Sequence, residues 1–100
     1  ELESRDFWFK IVEFLQQNWA LVEREDDGKA KVFFISDASG VFDTMIFDSQ
    51  QDAEVGLRRN GFNRYAEDSE SQKFIIPPQT PFYYKEHPNG RIYSSGRFWR

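Results

Sequence analysis

Residues 4–19 read SRDFWFKIVEFLQQNW, and the fold turns on whether this stretch winds or extends. Phe7, Trp8, Ile11, Val12, Phe14, Leu15 and Trp19 recur at steps of three and four. Asp6, Lys10, Glu13 and Gln17 make the opposing polar stripe. That spacing is the pattern of an amphipathic helix with a wide buried face. Ser4 stands where a cap belongs, and Asp6 suits a first turn. The spacing therefore predicts a helix over 4–18.

Three strand signals follow. Trp19–Arg24 alternates loosely, and Ala30–Ser36 (AKVFFIS) is rich in β-branched and aromatic residues. Val41–Phe47 (VFDTMIF) places apolar side chains at both parities. Asp27–Gly28 and Asp37–Gly40 supply the turns. An antiparallel meander over 20–47 is the expected result.

A second helix is expected from Ser49, with Asp52 three residues on at its N-terminus. Ala53 and Leu57 face inward, with Val55 beside them. Gly61, after Asn60, takes the left-handed position that ends a helix. Phe62 then touches Leu57, the apolar pair of a Schellman motif. Arg58 and Arg59 lie in the last turn, where cations are favoured. Arg58 is placed to pair with Glu54.

Phe62–Ala66 and Lys73–Ile76 read as short strands, joined by the polar loop Glu67–Gln72. Pro77, Pro78 and Pro81 keep the next stretch extended. Phe82–Glu86 and Arg91–Ser94 flank Asn89–Gly90, a hairpin signal. The predicted order is α-β-β-β-α-β-β-β, a single compact α+β domain over 1–100. A mainly antiparallel sheet of about 5–7 strands carries two helices on one face. The other sheet face, or the C-terminal hairpin, is left partly exposed.

Composition narrows the function. The chain holds eleven Phe, four Tyr and three Trp but no Cys. Disulfides, thiolate chemistry and cysteine zinc sites are therefore absent. No apolar run reaches the roughly 18–20 residues of a membrane-spanning helix. Glu1–Asp6 has no basic start leading into an apolar run, so no signal peptide is expected. These features point to the cytoplasm and away from membranes.

Charge is unevenly spread. Residues 1–70 carry eight Lys/Arg against sixteen Asp/Glu, whereas residues 71–100 carry five Lys/Arg and only Glu86. The basic end is also ring-rich. Tyr83, Tyr84, Lys85, His87, Arg91, Tyr93, Arg97 and Trp99 form the candidate binding set. Cations on phosphates with rings stacked on bases is the physics of single-stranded nucleic-acid recognition. Two facts weigh against it. A strand through Phe82–His87 shows at most one charge beside the rings on either face. The whole chain is acidic, with net charge −4, so steering toward a polyanion is weak.

Other chemistries find little support. The acidic run Glu23, Glu25, Asp26, Asp27 lacks the spacing of an EF-hand and suits a solvated hairpin tip. His87 is the only histidine, which excludes a His-rich metal site. A nucleophile such as Ser94 or Ser95, or a proton from Tyr93, would still need an orienting carboxylate. No glycine pattern cradles phosphate. No metal or cofactor is expected. The leading expectation is a small non-enzymatic binding or regulatory module. It would act through protein contact or self-association on an aromatic-rich sheet surface, with another protein or a second copy as partner. Single-stranded nucleic-acid binding and an enzyme built on His87 are the alternatives.

Overall fold

The computed structural model describes residues 4–13, 16–36, 39–79 and 82–84. The opening stretch extends rather than winds. Asp6–Glu13 is strand β1 and Gln16–Arg24 is strand β2, paired antiparallel. The expected helix over 4–18 is therefore wrong. Its spacing arose from apolar side chains on both sides of a strand. Phe7 and Phe9 point to one face and Trp8 to the other, and all three are buried. A strand buried on both faces reads as a near-continuous apolar run, which helical spacing also produces. Ser4 caps nothing helical. Its hydroxyl donates to the Val22 carbonyl and accepts from the Asp6 N–H, tying the start of β1 to β2.

The meander is as expected. Strand β2 pairs with β3 (Ala30–Ile35), and β3 pairs with β4 (Gly40–Phe47), all antiparallel. Glu25–Lys29 closes the first turn, with the Glu25 N–H donating to the Lys29 carbonyl at 2.8 Å. The acidic tip is exposed, and Asp27 Oδ1 accepts from the Lys29 N–H at 3.0 Å. Phe34 faces Asp43 while Ile35 faces Val41, so Phe42 is an extra residue in β4. This bulge turns Val41 to one face and sends Phe42, Met45 and Phe47 to the other.

Helix α1 (Gln50–Arg59) matches the sequence signals closely. The Asp52 N–H donates to Ser49 Oγ at 3.1 Å. At the far end the Phe62 N–H reaches the Leu57 carbonyl at 2.9 Å, and the Gly61 N–H reaches Arg58 at 3.2 Å. Those are the two bonds of a Schellman stop, with Gly61 at φ +91°. Leu57 and Phe62 lie in one buried cluster with Ala53, whereas Val55, expected to face inward, is exposed, because two residues on from Ala53 the helix has turned away from the sheet.

The chain then forms β5 (Asn63–Arg64), paired with Trp8 and Phe9 of β1, and two 3-10 turns, Tyr65–Glu67 and Ser71–Lys73. The short strand expected at Lys73–Ile76 is absent. The Ile75 N–H donates back to the Ser71 carbonyl, so the chain coils there. Five strands run antiparallel in the order β5-β1-β2-β3-β4. A two-residue strand β6 (Tyr83–Tyr84) lies parallel to β4 at Gly40–Val41. The α+β class stands as an antiparallel sheet with one helix among the described residues. The expected pair of helices does not.

Both faces of the sheet bury rings. On the first face, α1 covers Trp8, Ala20, Val22, Val32, Phe34 and Phe42 through Ala53 and Leu57. On the second, Phe7, Phe9, Trp19, Leu21, Phe33, Ile35 and Val41 form a separate cluster.

Candidate functional site

The second cluster is covered by the segment that follows α1. Because β5 lies beside β1, residues after Arg64 pass the β1 edge and come over the face opposite the helix. Tyr65, Ile75 and Phe82 pack on the cluster. Trp19 sits at its centre, with ring centroids 5.7 Å from Tyr65, 5.8 Å from Phe9 and 6.1 Å from Phe7. Phe82 meets Phe7 edge-on at 6.4 Å.

Polar bonds hold this strap in shape. The Tyr65 hydroxyl donates to the Ile75 carbonyl at 2.8 Å, which turns Ile75 toward the sheet. Gln72 Nε2 donates to the Tyr65 carbonyl at 2.8 Å. Asp68 Oδ1 accepts from the Ser71 N–H and shapes the second 3-10 turn. Ser39, at φ +68°, anchors the far end through a 2.7 Å bond from its hydroxyl to the Gln79 carbonyl. The expectation of a partly open sheet face holds only beyond the strap, where Thr44 and Ile46 are exposed.

With Ile75 turned in, its neighbours turn out. Phe74 is 81 % exposed and Ile76 is 75 % exposed. Between the strap and β1 runs an open groove of about 380 Å³, lined by Arg5, Phe7, Tyr65, Pro77, Pro78, Gln79 and Phe82. Its walls are rings and prolines. Among the described residues of its lining, Arg5 is the one charged side chain and Gln79 the one carboxamide. Asp6, next to Arg5, faces the other way and is held by Arg64.

A charge network lies on the helix side of β1. Arg64 binds Asp6 at 2.8 Å and approaches Glu54 at 3.3 Å and Glu67 at 3.6 Å. Arg58 pairs with Glu67 at 3.0 Å, not with Glu54 as expected, because Glu54 turns to Arg64. Both guanidiniums stand over the Trp8 ring, at 4.9 and 5.2 Å. The hydrogen bond from Arg58 holds the Glu67 carboxyl below its usual range, and the bond to Asp6 raises Arg64. These groups are consumed by one another, which suits a clasp rather than a reaction centre. Among the described residues no group of three His, Asp or Glu could hold a metal ion. No helix among them is long and apolar enough to cross a membrane.

Of the expected site residues, Tyr83 and Tyr84 form β6. Lys85, His87, Arg91, Tyr93, Arg97 and Trp99 lie outside the described residues, as does the expected hairpin at Asn89–Gly90. The residues brought together in the groove are instead Arg5, Phe7, Tyr65, Pro77, Pro78, Gln79 and Phe82, with Phe74 and Ile76 just ahead of its prolines in the chain. Their signal in the sequence was the apolar run Phe74–Ile76 leading straight into two prolines, which stop a strand and confine such a run to a sheet's edge. Against known proteins, the chain matches no family model, no curated protein and no solved structure.

Proposed function

We propose that this protein is a small non-enzymatic module that binds another protein through the strap face. One observation carries the reading: Phe74 and Ile76 stand out from the same segment that walls an aromatic and proline groove. Large apolar side chains set in water beside a concave apolar surface mark interaction sites. Rings and prolines lose little conformational freedom on binding, which favours them as contact residues. The rings of the sheet itself serve the core, so the contact surface is the strap and not the sheet face.

Self-association through the sheet edge is the weaker form of the same reading. The bulge at Phe42 twists β4, and Lys10 lies on β1 just past the two residues that the short outer strand β5 covers. Both features blunt strand-to-strand pairing. Nucleic-acid binding would rest on Lys85, Arg91 and Arg97, and the catalytic alternative on His87.

The test compares the native chain with a Phe74→Ser/Ile76→Ser variant in affinity capture. Every captured protein is then purified and titrated against both forms. A partner that binds the native chain and not the variant is the expected result. Equal binding to both forms, or a captured set that ignores the substitutions, would overturn the reading.

A further inference from the structure

We propose that the strap binds a second copy of this chain, in a two-fold dimer with Phe74 and Ile76 of both copies at its centre. This rests on the protein-binding reading and names the partner.

The charges beside the two apolar side chains point to a copy. Lys73 Nζ meets Glu70 Oε2 at 3.2 Å, and both side chains stand largely in water. A 3-10 turn eclipses residues three apart, so this cation and this anion lie side by side next to Phe74. A two-fold axis between them sets Glu70 of each copy against Lys73 of the other. A patch with one charge of each sign complements its own image, whereas a patch of one sign repels it. Changing partners costs little, because an exposed ion pair contributes little within one chain.

The backbone holds both apolar side chains in place before a partner arrives. The Phe74 N–H donates to the Ser71 carbonyl at 3.0 Å, and the Ile75 N–H donates to the same oxygen at 2.9 Å. The Tyr65 hydroxyl donates to the Ile75 carbonyl at 2.8 Å. Ile75 is thereby fixed inward between two side chains fixed outward. Association then has little chain ordering to oppose it.

Area sets the strength. At 81 % exposure Phe74 offers roughly 120–200 Å². Ile76 offers a similar amount, so the four side chains of two copies give roughly 500–800 Å². A standard stable interface buries about 1,200–2,000 Å² in total. Two chains of net charge −4 also repel each other. The dimer is therefore weak and concentration-dependent, not permanent.

The experiment is sedimentation equilibrium of the whole chain from about 1 µM to about 1 mM, a span that covers weak association. The expected result is a monomer that becomes a dimer within that range. Phe74→Ser/Ile76→Ser should stay monomeric with its melting temperature unchanged. Lys73→Glu and Glu70→Lys are surface substitutions that leave the fold intact. Each alone should dimerise at least about tenfold more weakly, since each sets like charges face to face across the axis. Mixed one to one, the two variants should associate as the native chain does, because every contact across the axis again joins opposite charges. A native chain that stays monomeric throughout overturns the inference. So does a dimer that ignores the serine substitutions or the charge reversals, or a mixture no stronger than its components. None of those results touches the protein-binding reading, which falls only if partner capture ignores Phe74 and Ile76.

Discussion

Arg64 grips Asp6 through two parallel hydrogen bonds, Nε to Oδ1 at 2.8 Å and Nη2 to Oδ2 at 3.0 Å. The pair clasps β5 to the start of β1. It thereby directs the chain after α1 around the sheet edge and onto the second face. Without that clasp the strap would have only two ladder residues, Asn63 and Arg64, to set its course.

Asp6→Ala should therefore destabilise the domain. The two side chains are 18 % and 23 % exposed, so the bonds are mostly shielded from water. Charge-assisted bonds of this kind contribute about 1–3 kcal/mol. An orphaned buried charge would cost more, about 3–5 kcal/mol. Glu54 and Glu67 remain near Arg64 and hold the loss to the lower range. Urea denaturation measures it, and a loss within error of zero would show the clasp to be incidental.

Acid should loosen the same region. The Glu67 carboxyl is held below its ordinary value of 4.5, first by the hydrogen bond from Arg58. A depressed carboxyl stabilises the fold above its unfolded value, and that stability drains away as pH falls through the folded one. The melting temperature should fall below pH 4.5, and Glu67→Gln should flatten that limb. The raised value of Arg64 has the opposite sense. Its stabilisation is fully present below the ordinary guanidinium value and is lost only in strong alkali, so it adds no pH dependence near neutrality. Melting curves from pH 3 to 8 decide it (about the accessible range for such groups).

Glycine is required at two turns for one reason. Gly28 and Gly61 sit at φ +88° and +91°. An alanine in the left-handed region costs about 1–2 kcal/mol. At Gly28 nothing lies within 4 Å of the added carbon, while at Gly61 it meets Lys10 Cε at 3.3 Å. Lys10 is flexible at that end and can move aside. Gly28→Ala and Gly61→Ala should thus lose similar amounts, and Gly61→Asn should recover part, since Asn tolerates this conformation. A Gly61→Ala cost far above the Gly28→Ala cost would show that Lys10 is fixed.

What the sequence disclosed was what neighbours along the chain decide. The Ser49 cap, the Gly61 stop and the turns at Asp27–Gly28 and Ser39–Gly40 depend on a few adjacent residues, and each was readable. The stretch 4–19 was not, because its fate is set at a distance. Phe7, Phe9 and Trp19 are covered by Tyr65, Ile75 and Phe82, more than forty residues away along the chain. Without that cover, three successive rings at Phe7–Phe9 read equally as a turn of buried helix. The site was hidden for the same reason. Arg5 and Pro78 share a groove only because β5 docks beside β1 and carries the strap across.

Ending the chain at Ser71 should lower the melting temperature and broaden the transition. It removes Ile75 and Phe82, and exposes Phe7, Phe9, Trp19 and Leu21 to water. Burying one such apolar side chain contributes about 1.5–3 kcal/mol, a large share of the total for a domain of this size. The shortened chain should also bind a hydrophobic dye that the full chain ignores. An unchanged, equally cooperative melt would mean that the strap is an appendage and not part of the fold.

The final contrast lies within three consecutive residues. Ile75 packs on the second cluster, whereas Phe74 and Ile76 point to solvent. Ile75→Ala should cost about 1–3 kcal/mol, near or below the usual range for a core truncation because Ile75 is only half-buried. Phe74→Ser and Ile76→Ser should each change stability by less than about 0.5 kcal/mol, as surface substitutions do. Stability that ignores both substitutions would fit the proposed role of these two side chains as partner contacts. If serine at both positions instead unfolds the domain, these side chains belong to the core and the strap face loses its claim as the binding surface.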